Sequence, residues 1–555
     1  MLIYRMFKKI LLKEHALLIL TFPFLLILGL NIYKDYGISI DEESTRMHGL
    51  VSLNYICELF FPDKRFNFQL INNIPDLNSY PFKEYGVFFE ILLILIIEVF
   101  LKITEFSEIF YTRHLFTNLL FLSSLIFFYF TSLNIFKNKY YSLLSVLILY
   151  TSPRIFAESF YNDKDLVFLS FFIYSIFFSI KFLKKMNLTN ACLLALVLSI
   201  TINIRVIGVY LLLLIILFLI IKILMENNFF LKKINLLIFF IFLNFIFLYA
   251  LWPFLWQAPL ENSLYALKIS SKYPWGGYVF YLGDFYKAKY LPWHYLFVYF
   301  FATTPLLLSA IILPGVWIIA FRFIKRLIKI NDGQPNNDIW KSNKEKFLLF
   351  IFFTVISPLF LIYVFNSITY NGWRHLYFLF PSLILIGIYF IERISIHFNK
   401  KKIAMIFPAI LIFIFINNLY NLIKLHPYQY IYFNLIFERN ANQLFEIDYW
   451  GVANKQSLEK IIKSNLDRDK MIIGVASFTD LYLSRKMLPK NLRKKIIISG
   501  QNFDDADFIF NNNYSEINPK FDDKYSIPQS FKKYSSLKKG NILINEFYKK
   551  DDKLK

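Results

Sequence analysis

Charged residues are scarce in this chain of 555 residues, at 18%, and cysteine occurs only twice. A soluble domain carries about 25% charged and about 45–50% apolar residues. The 57% apolar content and the mean hydropathy of +0.47 therefore exclude an ordinary soluble fold. Cys57, in a loop, and Cys192, inside an apolar run, provide neither a metal-ligand spacing nor a disulfide framework. A phosphate-cradling glycine loop, an HExxH pair, a nucleophile elbow and a Walker motif are all missing. Acidic residues are few as well, 39 against 61 basic ones, for a net charge of +22. In a soluble protein that excess would point to nucleic acid. Here most Lys and Arg lie in short loops between apolar runs, as membrane orientation requires, and no nucleic-acid-binding motif accompanies them. Nucleic acid is accordingly not expected as a partner.

What the sequence has is apolar runs long enough to cross a bilayer, which takes about 20 residues. They lie near 15–33, 113–135, 140–158, 165–183, 188–204, 206–225, 234–252, 293–321, 347–366, 374–391 and 403–420, about eleven helices. The first follows Arg5, Lys8, Lys9 and Lys13 and lacks a small-residue cleavage site, so it reads as an uncleaved signal anchor. The stretch 86–103 is apolar but interrupted by Glu90 and Glu98. If it does not span, the basic stretches Lys137–Lys139, Lys181–Lys185, Lys222–Lys233, Arg322–Lys346 and Arg393–Lys402 all share one side with the basic N-terminus. If it spans, the N-terminus lies opposite all of them. The positive-inside tendency selects the first arrangement. It makes 86–103 an interfacial or re-entrant helix whose carboxylates face water or protein.

This orientation leaves outside a first loop over 34–112 with interfacial helices, loops at 154–164 and 253–292, and the tail from about 424. The expected fold is an all-α polytopic membrane bundle over 1–423, with a small extracytoplasmic α/β domain over 424–555. In that domain Asn454 is placed to cap a helix over 455–465. Short apolar runs at Met471–Ala476, Ile496–Ile498, Phe508–Phe510 and Ile542–Ile544 read as strands. No internal repeat is evident, which argues against a transporter built from repeated halves.

Sorted by side, the outer face collects Asp41, Glu42, Glu43, Lys83, Glu84, Arg113, Asp163, Asp165, Arg205, Lys289, His294, Arg374 and His375. Carboxylates and fixed cations converging at helix ends on one face describe a site. The adjacent carboxylates Asp41, Glu42 and Glu43 follow the first helix; such a group serves general-base chemistry, a solvated acidic turn or a helix cap. Asp163 and Asp165 sit at the mouth of the helix over 165–183, where a carboxylate also suits the helix dipole. Arg205 lies between two apolar runs almost without a loop, so it needs a carboxylate or an anionic ligand such as a lipid phosphate, or else it snorkels. Arg374 and His375 admit the same two readings. The aromatic stretches Trp252–Trp256 and Leu291–Tyr295 suit either sugar stacking or an interfacial belt.

In this order these residues resemble the GT-C glycosyltransferases, and within them the protein O-mannosyltransferases and lipid A aminoarabinose transferases. The match comprises Asp41-Glu42 after the first helix, Asp165 (less well Asp163) in the next outer loop, and Arg205 after the fifth helix. It continues with Leu291-Pro292-Trp293-His294-Tyr295 before Thr303-Thr304-Pro305, Arg374-His375-Leu376 before Pro381, His426–Tyr430 and Asp448–Gly451. It covers roughly 30–455, and the tail beyond about 470 matches nothing. Arg205 stands where several relatives carry Lys, and three acids at 41–43 leave the base open between Asp41 and Glu42.

The resemblance implies an inverting transferase of the bacterial inner membrane. Its partners would be a polyprenyl-phosphate-linked sugar donor, membrane lipids, and a glycan, lipid or protein acceptor. Asp41, Glu42 and Asp165 would be catalytic, and Arg205, Arg374 and His375 would hold the donor phosphate. Asp163, Trp293, His294 and Tyr295 would contact substrate. No cofactor is required, although a divalent cation is compatible. With no soluble nucleotide-binding fold on either side, a membrane-borne donor fits better than a nucleotide sugar. The competing expectations are a lipid-linked saccharide flippase and a surface-polysaccharide polymerase or ligase.

Overall fold

The computed structural model describes residues 16–62, 74–226, 229–328, 339–398 and 401–551. Arg5, Lys8, Lys9 and Lys13 lie outside these residues, as do parts of the basic stretches 222–233, 322–346 and 393–402. The order begins with α1 (Ala16–Ile32), α2 (Glu42–Phe60) and α3 (Phe88–Ile94), the last continuing into a π turn over Leu95–Phe100. Next come α4 (Phe106–Phe136), α5 (Lys139–Thr151), α6 (Pro153–Tyr161), α7 (Asp165–Lys184), α8 (Leu188–Ile204), α9 (Val209–Glu226) and α10 (Phe230–Ala250). After α11 (Pro259–Ser271) a hairpin of β1 (Tyr278–Tyr281) and β2 (Asp284–Lys287) leads to α12 (Tyr295–Thr303) and α13 (Leu306–Ile328). The bundle closes with α14 (Asn343–Val364), a 3-10 turn over Arg374–Leu379 running into α15 (Phe380–His397), and α16 (Lys401–Leu425).

Among the described residues, 8 helices are long and apolar enough to cross a membrane, or 9 if the bent pair α5–α6 is one span. Two shorter apolar helices, Leu17–Ile32 and Leu188–Ile204, accompany them. All coincide in place with the apolar runs of the sequence, so the chain is an integral membrane protein. Two runs are not continuous helices, and both break before a proline. The run 140–158 bends by 66° between α5 and α6. The run 293–321 divides into α12 and α13. Pro lacks an N–H and forces its predecessor out of the helical region. Ser152 (ψ 115°) and Thr304 (ψ 141°) are extended accordingly. Most of the loop expected at 154–164 is therefore the buried helix α6.

The stretch 86–103 forms only α3 and its π turn, and both of its carboxylates face protein. Glu90 pairs with Arg113, and Glu98 receives two hydrogen bonds from Arg46, at 2.8 and 2.7 Å. A Cβ on Gly86 would meet the Asn203 carbonyl oxygen at 1.7 Å, so only glycine permits this segment to lie across the end of α8.

Charge divides the bundle end from end. One end gathers the ion pairs Arg322–Glu345, Lys344–Glu392 and Lys222–Glu226, with Lys346 Nζ 3.4 Å from the Leu183 carbonyl. The other end holds the start of α7, the end of α8 and the turn leading into α15. The 20 residues of α7 separate the two ends, about 30 Å at 1.5 Å per residue.

Beyond α16 the chain returns across the bundle and forms α17 (Asn454–Lys463), β3 (Met471–Val475), β4 (Ile496–Gly500), β5 (Phe508–Asn511), β6 (Phe531–Lys539) and β7 (Ile542–Lys550). The sheet order is β4-β3-β5-β7-β6, with β3 parallel to β4 and β5 and the β5–β7–β6 edge antiparallel. Leu458, Ile461 and Ile462 of α17 pack on Met471, Ile473, Phe508 and Phe510. Asn454 is the first helical residue, not the cap; Ala453 holds that position, and Asn454 Nδ2 donates to the Asp480 carbonyl at 3.2 Å.

Candidate functional site

A cavity of about 440 Å³ opens where the tail meets the end of the bundle that holds the start of α7 and the turn leading into α15. Its bundle wall includes Asp41, Tyr273, Tyr370 and Arg374, and its roof includes Trp450, Phe478, Asp480 and Ser484 from the tail. The loop bearing Asp41 is fixed by the tail: Ile40 N–H donates to the Trp450 carbonyl at 3.1 Å, and a Cβ on Gly37 would meet the Val452 carbonyl oxygen at 2.3 Å.

Asp41 precedes α2 but makes no side-chain cap hydrogen bond. Its carboxylate instead accepts from Arg374 Nη1 at 3.1 Å and remains 37% exposed on the cavity. Glu42 serves the neighbouring structure. Oε2 accepts from Ser39 N–H at 2.7 Å, which closes the turn before α2, and Oε1 lies 2.9 Å from His114 Nε2. At 1% exposure Glu42 is closed to the cavity. Glu43 lies 3.5 Å from Arg46.

Asp165 is buried at the first turn of α7. It pairs with Arg205, lies 3.6 Å from Arg374 Nη1 and accepts from Asn162 Nδ2 at 3.1 Å. Arg374 therefore bridges the two acids. Gly372 (φ +71°) turns the chain into it, and Gly372 N–H donates to Tyr295 Oη at 2.9 Å. Trp373 Nε1 donates to Thr303 Oγ1 at 2.7 Å, while the guanidinium of Arg374 stacks 4.5 Å from the Trp450 ring and 5.3 Å from Tyr370. Arg205 and Arg374 each keep a buried Nε without a partner among the described residues.

Lys164 completes the cluster, and sequence reasoning assigned it no role. Its ammonium lies 3.6 Å from the centroid of the Tyr85 ring. Burial, and next the positive charge of Arg205, pull its pKa down to about 8. Its signal in the sequence was its position between Asp163 and Asp165, the two acids already singled out.

The other expected contacts disperse. Asp163 is buried against Arg113 (2.8 Å) and Thr45 Oγ1 (2.8 Å). Burial, and then the Glu90 carboxylate, push its pKa well up. His375 packs its ring edge-on to Tyr370 at 4.9 Å. Tyr295 is buried under the Gly372 turn. His294 Nδ1 lies 2.7 Å from Tyr281 Oη, and Trp293 is 72% exposed. None of Trp293, His294 and Tyr295 lines the cavity. Among the described residues no group of three or more His, Cys, Asp or Glu side chains could hold a metal ion.

Fold and site together define a polytopic membrane protein with an acid–guanidinium centre at one end of its bundle, roofed by a small α/β unit. No protein-family model matches the chain, and no curated protein is similar to it in sequence. Among solved structures it is similar to ArnT from Cupriavidus metallidurans in the apo state, at 10% identity and a TM-score of 0.48, covering 96% of this chain and 98% of that one. It is also similar to ArnT from Cupriavidus metallidurans bound to undecaprenyl phosphate, at 10% identity and a TM-score of 0.42, covering 96% and 98%.

Proposed function

We propose that this chain is a GT-C-type membrane glycosyltransferase. It moves a sugar from a polyprenyl-phosphate-linked donor to a lipid, glycan or protein acceptor on the extracytoplasmic face, with inversion at the anomeric carbon. The observation that carries the reading is the Asp41–Arg374–Asp165–Arg205 chain of contacts, in which Asp41 alone of the two acids is open to the cavity. Asp41 takes the proton of the acceptor hydroxyl as its oxygen bonds to the anomeric carbon. The bond from that carbon to the phosphate oxygen breaks, and the electron pair leaves with the lipid phosphate. Arg374, Arg205 and Lys164 meet the negative charge that accumulates there, where preorganised cations act most strongly. A donor phosphate at Arg374 competes with Asp41 for the guanidinium and so releases the carboxylate for its task. With fixed cations of this number, the reaction needs no metal. The gathering of basic residues at the opposite end of the bundle supports an extracytoplasmic site.

Proteoliposomes with a radiolabelled polyprenyl-phosphate sugar and envelope lipid or glycan as acceptor test the proposal. Label should become covalently attached to acceptor in wild type and not in Asp41→Asn. Movement of intact donor across the bilayer without bond formation would replace the transferase with a flippase.

A further inference from the structure

A second cavity of about 480 Å³ lies between the β1–β2 hairpin and the C-terminal sheet, away from Asp41. We propose that it holds a neutral sugar unit of the acceptor, so that the acceptor is a saccharide longer than the residue that reacts. This rests on the transferase reading for the word acceptor, but not for the site itself.

The lining chemistry selects the ligand class. Phe280, Phe285 and Phe445 supply aromatic surface, the first two with ring centroids 5.0 Å apart. Asn511, Asn513 and Ser526 supply amide and hydroxyl groups. Asn513 stands at φ +58°, with its N–H on Asn511 Oδ1 at 2.6 Å, which leaves its own carboxamide to the cavity rim. Among the described residues that line it, Asp522 alone is charged. With no cation, a phosphate or carboxylate ligand would enter uncompensated. A purely apolar ligand would strand the amides. A neutral sugar satisfies both walls, since its C–H face suits the negative face of an aromatic ring and its hydroxyls exchange hydrogen bonds with carboxamides. The volume lies within the roughly 300–1,000 Å³ of small-molecule sites.

Its position supplies the link to the reaction. Tyr514 lines this cavity, and its hydroxyl donates to Asn371 Oδ1 at 2.8 Å; Asn371 lines the cavity of Asp41 and Arg374. Phe478, in the roof of the reaction cavity, bonds through its N–H to the Tyr514 carbonyl at 2.9 Å. Tyr514 and Asn371 thus stand back to back between the two spaces, so that a saccharide seated in the second cavity lies beside the cavity of Asp41, within reach of its further units around the shared wall.

The test is direct binding of neutral trisaccharides of glucose, mannose and N-acetylglucosamine to the full-length protein in nanodiscs, read by saturation-transfer NMR and calorimetry. At least one should bind with a Kd of about 1 mM or tighter, weakening about tenfold or more in Phe285→Ala and in Ser526→Trp. Ser526 is exposed, so its replacement fills the rim without entering the core. Absence of binding by all three, or binding indifferent to both cavity variants, overturns the proposal. The read-out needs neither donor nor turnover. Protein that transfers sugar but binds no trisaccharide defeats this inference alone, and protein that binds but never transfers defeats the transferase alone.

Discussion

Asp41 and Arg374 stand 333 positions apart in the chain, yet Asp41 Oδ2 lies 3.1 Å from Arg374 Nη1. That contact ties the loop after the first helix to the turn that opens α15. It also sets the two residues most exposed to functional test against each other, because the cation that holds Asp41 is the one proposed to receive the leaving phosphate.

Asp41→Asn should lower transfer by about 10²–10⁴ while donor binding persists, since the amide keeps the shape and removes the proton acceptor. Glu42→Gln should act through folding. Its buried carboxylate accepts Ser39 N–H and faces His114, and losing one such partner costs about 1–3 kcal/mol. Glu43→Gln should be mild. Initial rates and melting curves on the three variants at equal protein level separate these roles; full turnover in Asp41→Asn would remove the base from this loop.

Arg205→Met should slow transfer by about 10²–10³ if the residue meets the leaving phosphate. It also leaves Asp165 with Arg374 as its only cation, at a cost up to the roughly 3–5 kcal/mol of a buried pair broken on one side. The double variant Arg205→Met/Asp165→Asn removes that second effect. Restored stability with transfer still slow is expected; restored transfer would show that Arg205 only neutralises Asp165.

Lys164 should make donor affinity depend on pH. Its ammonium, pulled down to about 8 by burial and by Arg205, loses its charge as pH rises through that value. The KM for donor should therefore climb above about pH 8 and stay flat in Lys164→Arg. Between about 8 and the ordinary 10.5 the unfolded chain binds the proton that the folded one has lost. Stability from this group therefore rises with pH across that window. An unchanged KM profile in Lys164→Arg would take Lys164 out of the donor site.

Glu446 gives a pH effect of the opposite sign. Burial raises its carboxyl to about 8, against an ordinary value of 4.5. Across that window the folded protein holds a proton that the unfolded chain releases, so stability falls as pH rises from 4.5 through 8. Glu446→Gln keeps an acceptor for Phe280 N–H and carries no charge. Its melting temperature should gain on wild type progressively from about pH 5 to 8 and no further above. Parallel curves would show that Glu446 is ionised throughout.

The bundle was legible in the sequence because hydropathy reports length and burial together. Its two interruptions are legible too, at Pro153 and Pro305, which cut the apolar runs around them. Asp41, Asp165, Arg205 and Arg374 were found because a charge at the edge of an apolar run is conspicuous, and the structure brings all four together. Lys164 was passed over because a lysine in a polar loop looks ordinary until Tyr85 arrives beneath it from a distant segment. Trp293, His294 and Tyr295 were grouped by adjacency, whereas successive residues at a helix start point in different directions. Strand β6 escaped because Phe531–Lys539 is an edge strand rich in lysine, with no apolar run to announce it. The β1–β2 hairpin escaped because its turn is Leu282-Gly283, both at positive φ, in place of the usual Asn-Gly.

The roof over the cavity of Asp41 and Arg374 governs the medium as well as the shape. Phe478, Leu483 and Trp450 cover a site whose acids and guanidiniums would otherwise face bulk water. The attraction between unit charges scales inversely with dielectric constant, from about 1 kcal/mol at 4 Å in water to about 4 kcal/mol where the effective value is 20. Lifting the tail by even the width of a water layer would therefore weaken the Asp41–Arg374 contact twice over, by raising the dielectric constant around it and by releasing the Ile40–Trp450 hydrogen bond that fixes the Asp41 loop. The tail thus sets the local permittivity around Asp41 and Arg374, and in the proposed transfer its seating on the bundle would be a control over chemistry performed by other residues.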